Sequence, residues 1–161
     1  MRYLEGMKDP TPAVQVLKGE CLMLAGQRDG SVALLESCAA AGGDAGYRAR
    51  WVLAHLALAE GRPGDVAGWV AGDSGLAGSL AGRELMARAQ VVLGNVEKAD
   101  KLYEALGDVS DEGLAWRARR AFEVRDWAKA EGLTLKLLDR LPDQMELLKN
   151  LEAIRRARKE P

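Results

Sequence analysis

Histidine and phenylalanine occur once each in the 161 residues, cysteine occurs twice, and neither sign of charge is in excess, with 23 Lys and Arg against 24 Asp and Glu. Two thiols are too few for a disulfide scaffold, and with one imidazole they cannot supply four N and S ligands to a zinc ion. A formal net charge of −1 excludes a polybasic nucleic-acid or membrane-surface protein on bulk charge. Val, Ile and Thr together number only 14, whereas Ala and Leu supply 50, a skew that is poor for sheets and good for helices. Nor is there a long apolar run. The longest, Trp51 to Ala59, is about half of what a membrane span needs and carries His55. Met1 to Pro10 contains no segment suited to a signal peptide. The cytoplasm is the favoured location, with the periplasm left open for a fragment of an exported or membrane-anchored protein. What remains is a composition 48% apolar and 29% charged, that of a folded soluble chain and long enough for one ordinary domain or a short array of repeats.

Internal repetition is the strongest signal. Four segments end in a turn at Gly26, Gly61, Gly94 and Arg125, which lie 35, 33 and 31 residues apart. Seven residues before each turn stands a small residue, Gly19, Ala54, Ala87 or Ala118. Three before it stands an apolar one, Met23, Leu58, Val91 or Phe122. The intervening segments read as helices. Thr11-Pro12 suits an N-cap with proline in the first turn, followed by Val14, Leu17, Cys21 and Leu24 on one face. Asp44 can cap the next long helix, Ser110 or Asp111 a later one, and Asp126 a run whose face is Trp127, Ala130, Leu133, Leu137 and Leu138. Asp143 to Glu146 has capping-box spacing before a last helix ending near Arg158. The helix from Pro63 is shortened by Gly68, Gly72 and Gly75. Ten helical pieces in antiparallel pairs and no strands are predicted.

Gly94-Asn95-Val96-Glu97-Lys98-Ala99 through Leu106, and Arg125-Asp126-Trp127-Ala128-Lys129-Ala130 through Leu141-Pro142, resemble the second half of a tetratricopeptide repeat. In the second segment the family's aromatic falls on Trp127, its alanine on Ala130 and its closing proline on Pro142. The family's small first-helix residue falls on Gly19, Ala54, Ala87 and Ala118. The aromatic usual early in the first helix is absent, and Lys18 and Arg117 stand where the family has leucine. The resemblance implies an all-α fold, a right-handed superhelix of antiparallel helix hairpins. Four repeats would span 12–43, 44–75, 76–109 and 110–142 of a single array over 1–161, with a capping helix at 143–159. Met7-Lys8-Asp9-Pro10 reads like the close of an earlier repeat, so that either 1–10 is the remnant of a preceding hairpin in a longer chain or the array begins with a short capping helix.

Catalytic chemistry finds no footing. Gly72-Asp73-Ser74-Gly75 looks like the loop around a trypsin-like nucleophile, but a triad needs a held histidine and an oxyanion hole, and this segment reads as a loop between hairpins. There is no phosphate loop, metal-spaced cluster or paired carboxylate, so no enzyme and no cofactor are expected. Cys21 and Cys38 read as small buried hydrophobes rather than a disulfide. The four Trp read mainly as core, with Trp51 or Trp116 a candidate for exposure. Arg117, Arg119, Arg120, Arg155, Arg156, Arg158 and Lys159 are interleaved with acids and read as a mixed-charge surface, so nucleic acid is not expected as a ligand.

A stack of such hairpins would have a concave wall lined by first helices. In the register of the small residues, that wall carries Glu20, His55, Arg88 and Arg119, then Met23, Leu58, Val91 and Phe122. His55 reads more readily as a packed residue than as a ligand-binding one. Arg119 has a possible partner one turn on, Glu123, whereas Arg88 has Val92 there. The arginines suit an acidic or carboxylate-ended segment. The resemblance thus implies a non-catalytic scaffold or adaptor binding a protein or peptide, in bacterial assembly, secretion or envelope complexes. A dedicated secretion chaperone for a small client and an RNA-binding helical repeat are the alternatives.

Overall fold

All four turns anticipated from the spacing are present, each with a left-handed residue at the anticipated position. In the computed structural model, which describes residues 10–159, the helices are α1 (Pro12–Leu24), α2 (Arg28–Ala41), α3 (Gly43–Ala59), α4 (Pro63–Ala71), α5 (Ser74–Gly78), α6 (Leu80–Val92), α7 (Val96–Leu106), α8 (Asp111–Glu123), α9 (Trp127–Arg140) and α10 (Met145–Lys159). A short 3-10 turn, Gly107–Val109, follows α7, and there is no strand among the described residues. The expected remnant at the N-terminus falls on residues outside those described, apart from Pro10.

Gly26, Gly61, Gly94 and Arg125 all have left-handed backbones, with φ of 75°, 70°, 74° and 61°. The amide of each donates to the carbonyl three residues back, on Met23, Leu58, Val91 and Phe122. In three of them the next amide reaches five back, Gln27 to Leu22, Arg62 to Ala57 and Asp126 to Ala121. This is the Schellman closure of a helix C-terminus, which satisfies orphan carbonyls. The left-handed conformation costs a side-chain-bearing residue roughly 1–2 kcal/mol, so glycine suits it. Arg125 is the one non-glycine residue with positive φ among those described.

The modules also share their burial. Ala54, Ala87 and Ala118 are buried, as is Gly19, where a Cβ would stand 2.8 Å from Leu35 Cγ. Five residues after each turn residue come Ser31, Val66, Ala99 and Ala130, all completely buried. Nine after come Leu35, Val70, Tyr103 and Thr134, also buried. The polar members are satisfied locally: the Ser31 hydroxyl donates to Gly19 O at 2.7 Å and that of Thr134 to Ala130 O at 2.8 Å.

The chain divides into two compact units, the first ending at Gly94 and the second starting at Asn95, inside the third anticipated repeat. In the first unit α1 packs on α2, α2 on α3, α3 on α4 and α4 on α6. Its core runs from Val16, Leu35, Cys38 and Leu53 to Val66, Leu76 and Leu85, with Trp51 and Trp69 touching both parts. In the second unit α7 packs on α8, α8 on α9 and α9 on α10. Leu114, Ala118, Leu133 and Leu137 form one cluster, and Ala121, Ala130 and Ile154 another, flanked by the partly buried Trp127.

Four details differ from the sequence reading. Gly42, not Asp44, is the N-cap of α3, and Asp44 sits in the first turn, where its charge suits the helix dipole. The final helix opens at Met145, with Gln144 O accepting from Leu148 N, so Asp143 lies before the cap. Ser74 and Gly75 are not in a loop: Asp73 Oδ1 accepts from Leu76 N at 2.9 Å and starts α5, and Ser79 Oγ accepts from Gly82 N at 3.0 Å and starts α6. Finally, α1 turns Val16 and Gly19 inward, leaving Leu17 exposed and Leu24 89% exposed. Leu35 of α2 packs over Gly19 rather than against the leucine stripe.

Candidate functional site

In the first unit, Glu20 on α1 and His55 on α3 are joined through two residues of α3. Arg48 Nε donates to Glu20 Oε1 at 2.8 Å, and the Arg48 guanidinium lies 4.6 Å from the centre of the Trp51 ring. Trp51 meets His55 edge-on at 4.3 Å between ring centres. The row Glu20–Arg48–Trp51–His55 thus alternates charge and aromatic surface on neighbouring helices. Arg48 was not singled out from sequence. Its spacing three before Trp51 was the available signal, because that spacing puts a guanidinium over an indole on a helix.

Met23 and Leu58 are half-buried against the core of this unit, so much of their surface is already used. Val91 is half-buried as well. Arg88 is half-buried and engaged, so the expectation of an arginine without a partner fails there.

Arg119 and Phe122 lie on α8 in the second unit. The Arg119 guanidinium sits 4.5 Å from the Trp116 ring centre, and no carboxylate pairs with it among the described residues. The partner anticipated for it, Glu123, is taken by Arg120 one position closer. Beneath Arg119, the Trp116 indole is buried, stacks on Tyr103 at 5.3 Å and donates to Asp100 Oδ1 at 2.7 Å. Arg120 Nε donates to the same carboxylate at 3.2 Å. Phe122, one turn on from Arg119, is 37% exposed and meets Trp127 edge-on at 5.2 Å. A guanidinium laid flat on a fixed ring keeps its N–H edges available, the arrangement that suits a planar carboxylate.

The other cations of this region are mostly committed. Arg117 and Lys136 both donate to Asp108 at 2.6 Å, Arg140 to Asp111 at 2.7 Å, and Arg155 to Glu131 at 2.7 Å with Arg158 behind it at 3.3 Å. In the first unit, Glu60 takes Arg28 and Arg62, tying the start of α2 to the end of α3. Hydrogen bonds from Arg28 and then Arg62 hold the Glu60 carboxyl down to about 2. Those from Lys136 and then Arg117 hold Asp108 down to about 2. A folded-state value below the ordinary one means that these pairs stabilise the fold above the usual carboxylate range, and that the contribution disappears as pH falls through about 2. The melting temperature is therefore expected to fall between about pH 4.5 and pH 2. A Glu60→Gln, Asp108→Asn variant should start lower at neutral pH and fall less over that interval. Parallel curves for the two proteins would assign the acid sensitivity to other carboxylates. Added salt should shrink the neutral-pH difference, because both carboxylates are open to solvent.

Cys21 and Cys38 are both free, and burial pushes the Cys38 thiol up, away from reactivity. Among the described residues no group of His, Cys, Asp and Glu is placed to hold a metal ion, and no helix is long and apolar enough to cross a membrane. No family model, no curated protein and no solved structure matches this chain.

Proposed function

We propose that this chain is a non-catalytic interaction scaffold or adaptor, a stack of tetratricopeptide-like hairpins whose first helices receive a peptide or partner helix. The roles implied by the resemblance, in bacterial assembly, secretion or envelope complexes, belong to this reading. One observation carries it. Arg119 is exposed, stacked on a buried indole and without a carboxylate partner among the described residues, and the exposed ring of Phe122 stands one turn away. A cation so placed favours a partner segment that brings a carboxylate to Arg119 and an apolar side chain to Phe122, since a desolvated charge pair at an interface counts for more than an exposed one.

Arg119→Glu tests the reading. The residue makes one exposed cation–π contact, worth about 0.5–1 kcal/mol, so the melting temperature should move by only a few degrees. Affinity for a partner isolated with the wild-type chain should fall at least about tenfold, or ~1.4 kcal/mol. Undiminished binding of that partner by Arg119→Glu would remove this helix face from the interface.

A further inference from the structure

The tip of the α8–α9 hairpin differs from its counterparts in its turn residue. Its left-handed turn residue is an arginine, where the other three turns have glycine. Arg125 is exposed and makes no ion pair or hydrogen bond from its side chain among the described residues, so its guanidinium is open to a partner. Val124 before it is 68% exposed, and Phe122 on the preceding turn is also open.

We propose that the tip Phe122–Val124–Arg125 is a contact surface for an acidic segment of a partner protein, with Arg125 pairing a carboxylate and Val124 covering an apolar neighbour. This rests on the interaction-scaffold reading and extends the surface from Arg119 to the end of the hairpin. The chemistry follows from the charges in place. The nearby acids are occupied, Glu123 by Arg120 and Asp126 by the Lys129 amide that it caps at 3.1 Å, whereas Arg119 and Arg125 present cations with no carboxylate of their own. Two such cations flanking exposed apolar side chains complement a segment in which acidic and apolar residues alternate.

The test separates stability from binding, because they move in opposite directions at this position. Arg125→Gly relieves the left-handed backbone, so its melting temperature should rise by about 2–4 °C. The probe is a short fluorescein-labelled peptide of alternating Glu and Leu, compared with the same peptide carrying Gln for Glu. The wild type should bind the Glu peptide in preference to the Gln peptide, and the preference should weaken as salt is raised. Arg125→Gly should bind the Glu peptide about tenfold more weakly despite its greater stability. Arg125→Lys should retain part of the affinity. Loss of binding in Arg119→Glu with wild-type affinity in Arg125→Gly would overturn the tip assignment and leave the helix-face reading standing. If the wild type does not distinguish the two peptides, the acidic-segment assignment is overturned.

Discussion

Trp116→Ala is expected to lower the stability of the fold by about 3–5 kcal/mol, the range for truncating a large core aromatic. The indole is 8% exposed and holds three neighbours at once: Tyr103 stacked on one face, Asp100 on its N–H, and Arg119 over the ring. Removing it leaves a cavity between α7 and α8 that two helices cannot close without moving their backbones. Asp100 keeps Arg120, so the loss is one of packing more than of an abandoned charge. For a chain of this length the melting temperature should fall by about 6–20 °C. Trp116→Phe keeps most of the ring surface and deletes the N–H, and should fall much less. An unchanged transition in the alanine variant, followed by circular dichroism, would mean that α8 does not pack through this ring.

Leu35→Ala should cost a comparable amount, toward the upper part of the roughly 2–5 kcal/mol seen for buried leucines. The reason lies in its neighbour. Leu35 is completely buried, and its Cγ lies where a side chain on Gly19 would begin, 2.8 Å from the position of a Cβ. A cavity costs most where the surroundings cannot relax into it, and glycine has nothing to move in. Gly19→Ala alone should destabilise, because Leu35 must give way. Placed on the Leu35→Ala background it should instead recover part of the loss. Urea unfolding of the four proteins measures the coupling directly. A double variant no more stable than Leu35→Ala would show that the two helices do not meet at this pair.

How far the sequence carried depended on whether a feature was local. The hairpin turns were legible because a left-handed C-terminal closure needs glycine or an equivalent exception at one fixed offset. Gly26, Gly61 and Gly94 therefore announced the offset that Arg125 merely occupies. The small residues were legible through the same spacing. The inward face of α1 was not, because hydrophobicity points to Leu17 and Leu24, whereas the contact is made by Gly19 with Ser31 and Leu35 across the turn. The helix α5 was missed although its signals were present, Asp73 and Ser79 each standing three before an amide that they accept from. The glycines around them pointed to a loop.

At the candidate site, the positions of Arg119 and Phe122 on one helix face followed from period alone. Their electrostatics did not. Glu123 stands four residues after Arg119 and three after Arg120, and spacing alone cannot decide which of them pairs with it, whereas the structure gives it to Arg120. Pairings such as Arg48 with Glu20, Trp116 with Asp100 and Lys136 with Asp108 join different helices and leave no local pattern to read.

Every turn from a first to a second helix has the same length, Ala25–Gln27, Glu60–Arg62, Leu93–Asn95 and Val124–Asp126, and each is closed by backbone hydrogen bonds. The connections between one second helix and the next first helix share no such ring. One is the single residue Gly42, one contains an extra helical turn, and one carries a 3-10 turn. Length therefore varies in the helices and in these connections, and not in the tips. Adding a residue at a hairpin tip breaks a closed hydrogen-bond loop and rotates the following helix by about 100°, carrying its whole inner face away from the core. The unequal spacings of 35, 33 and 31 residues arise outside the tips, and the longest of them contains the shortest connection, Gly42, its extra length lying in α2 and α3.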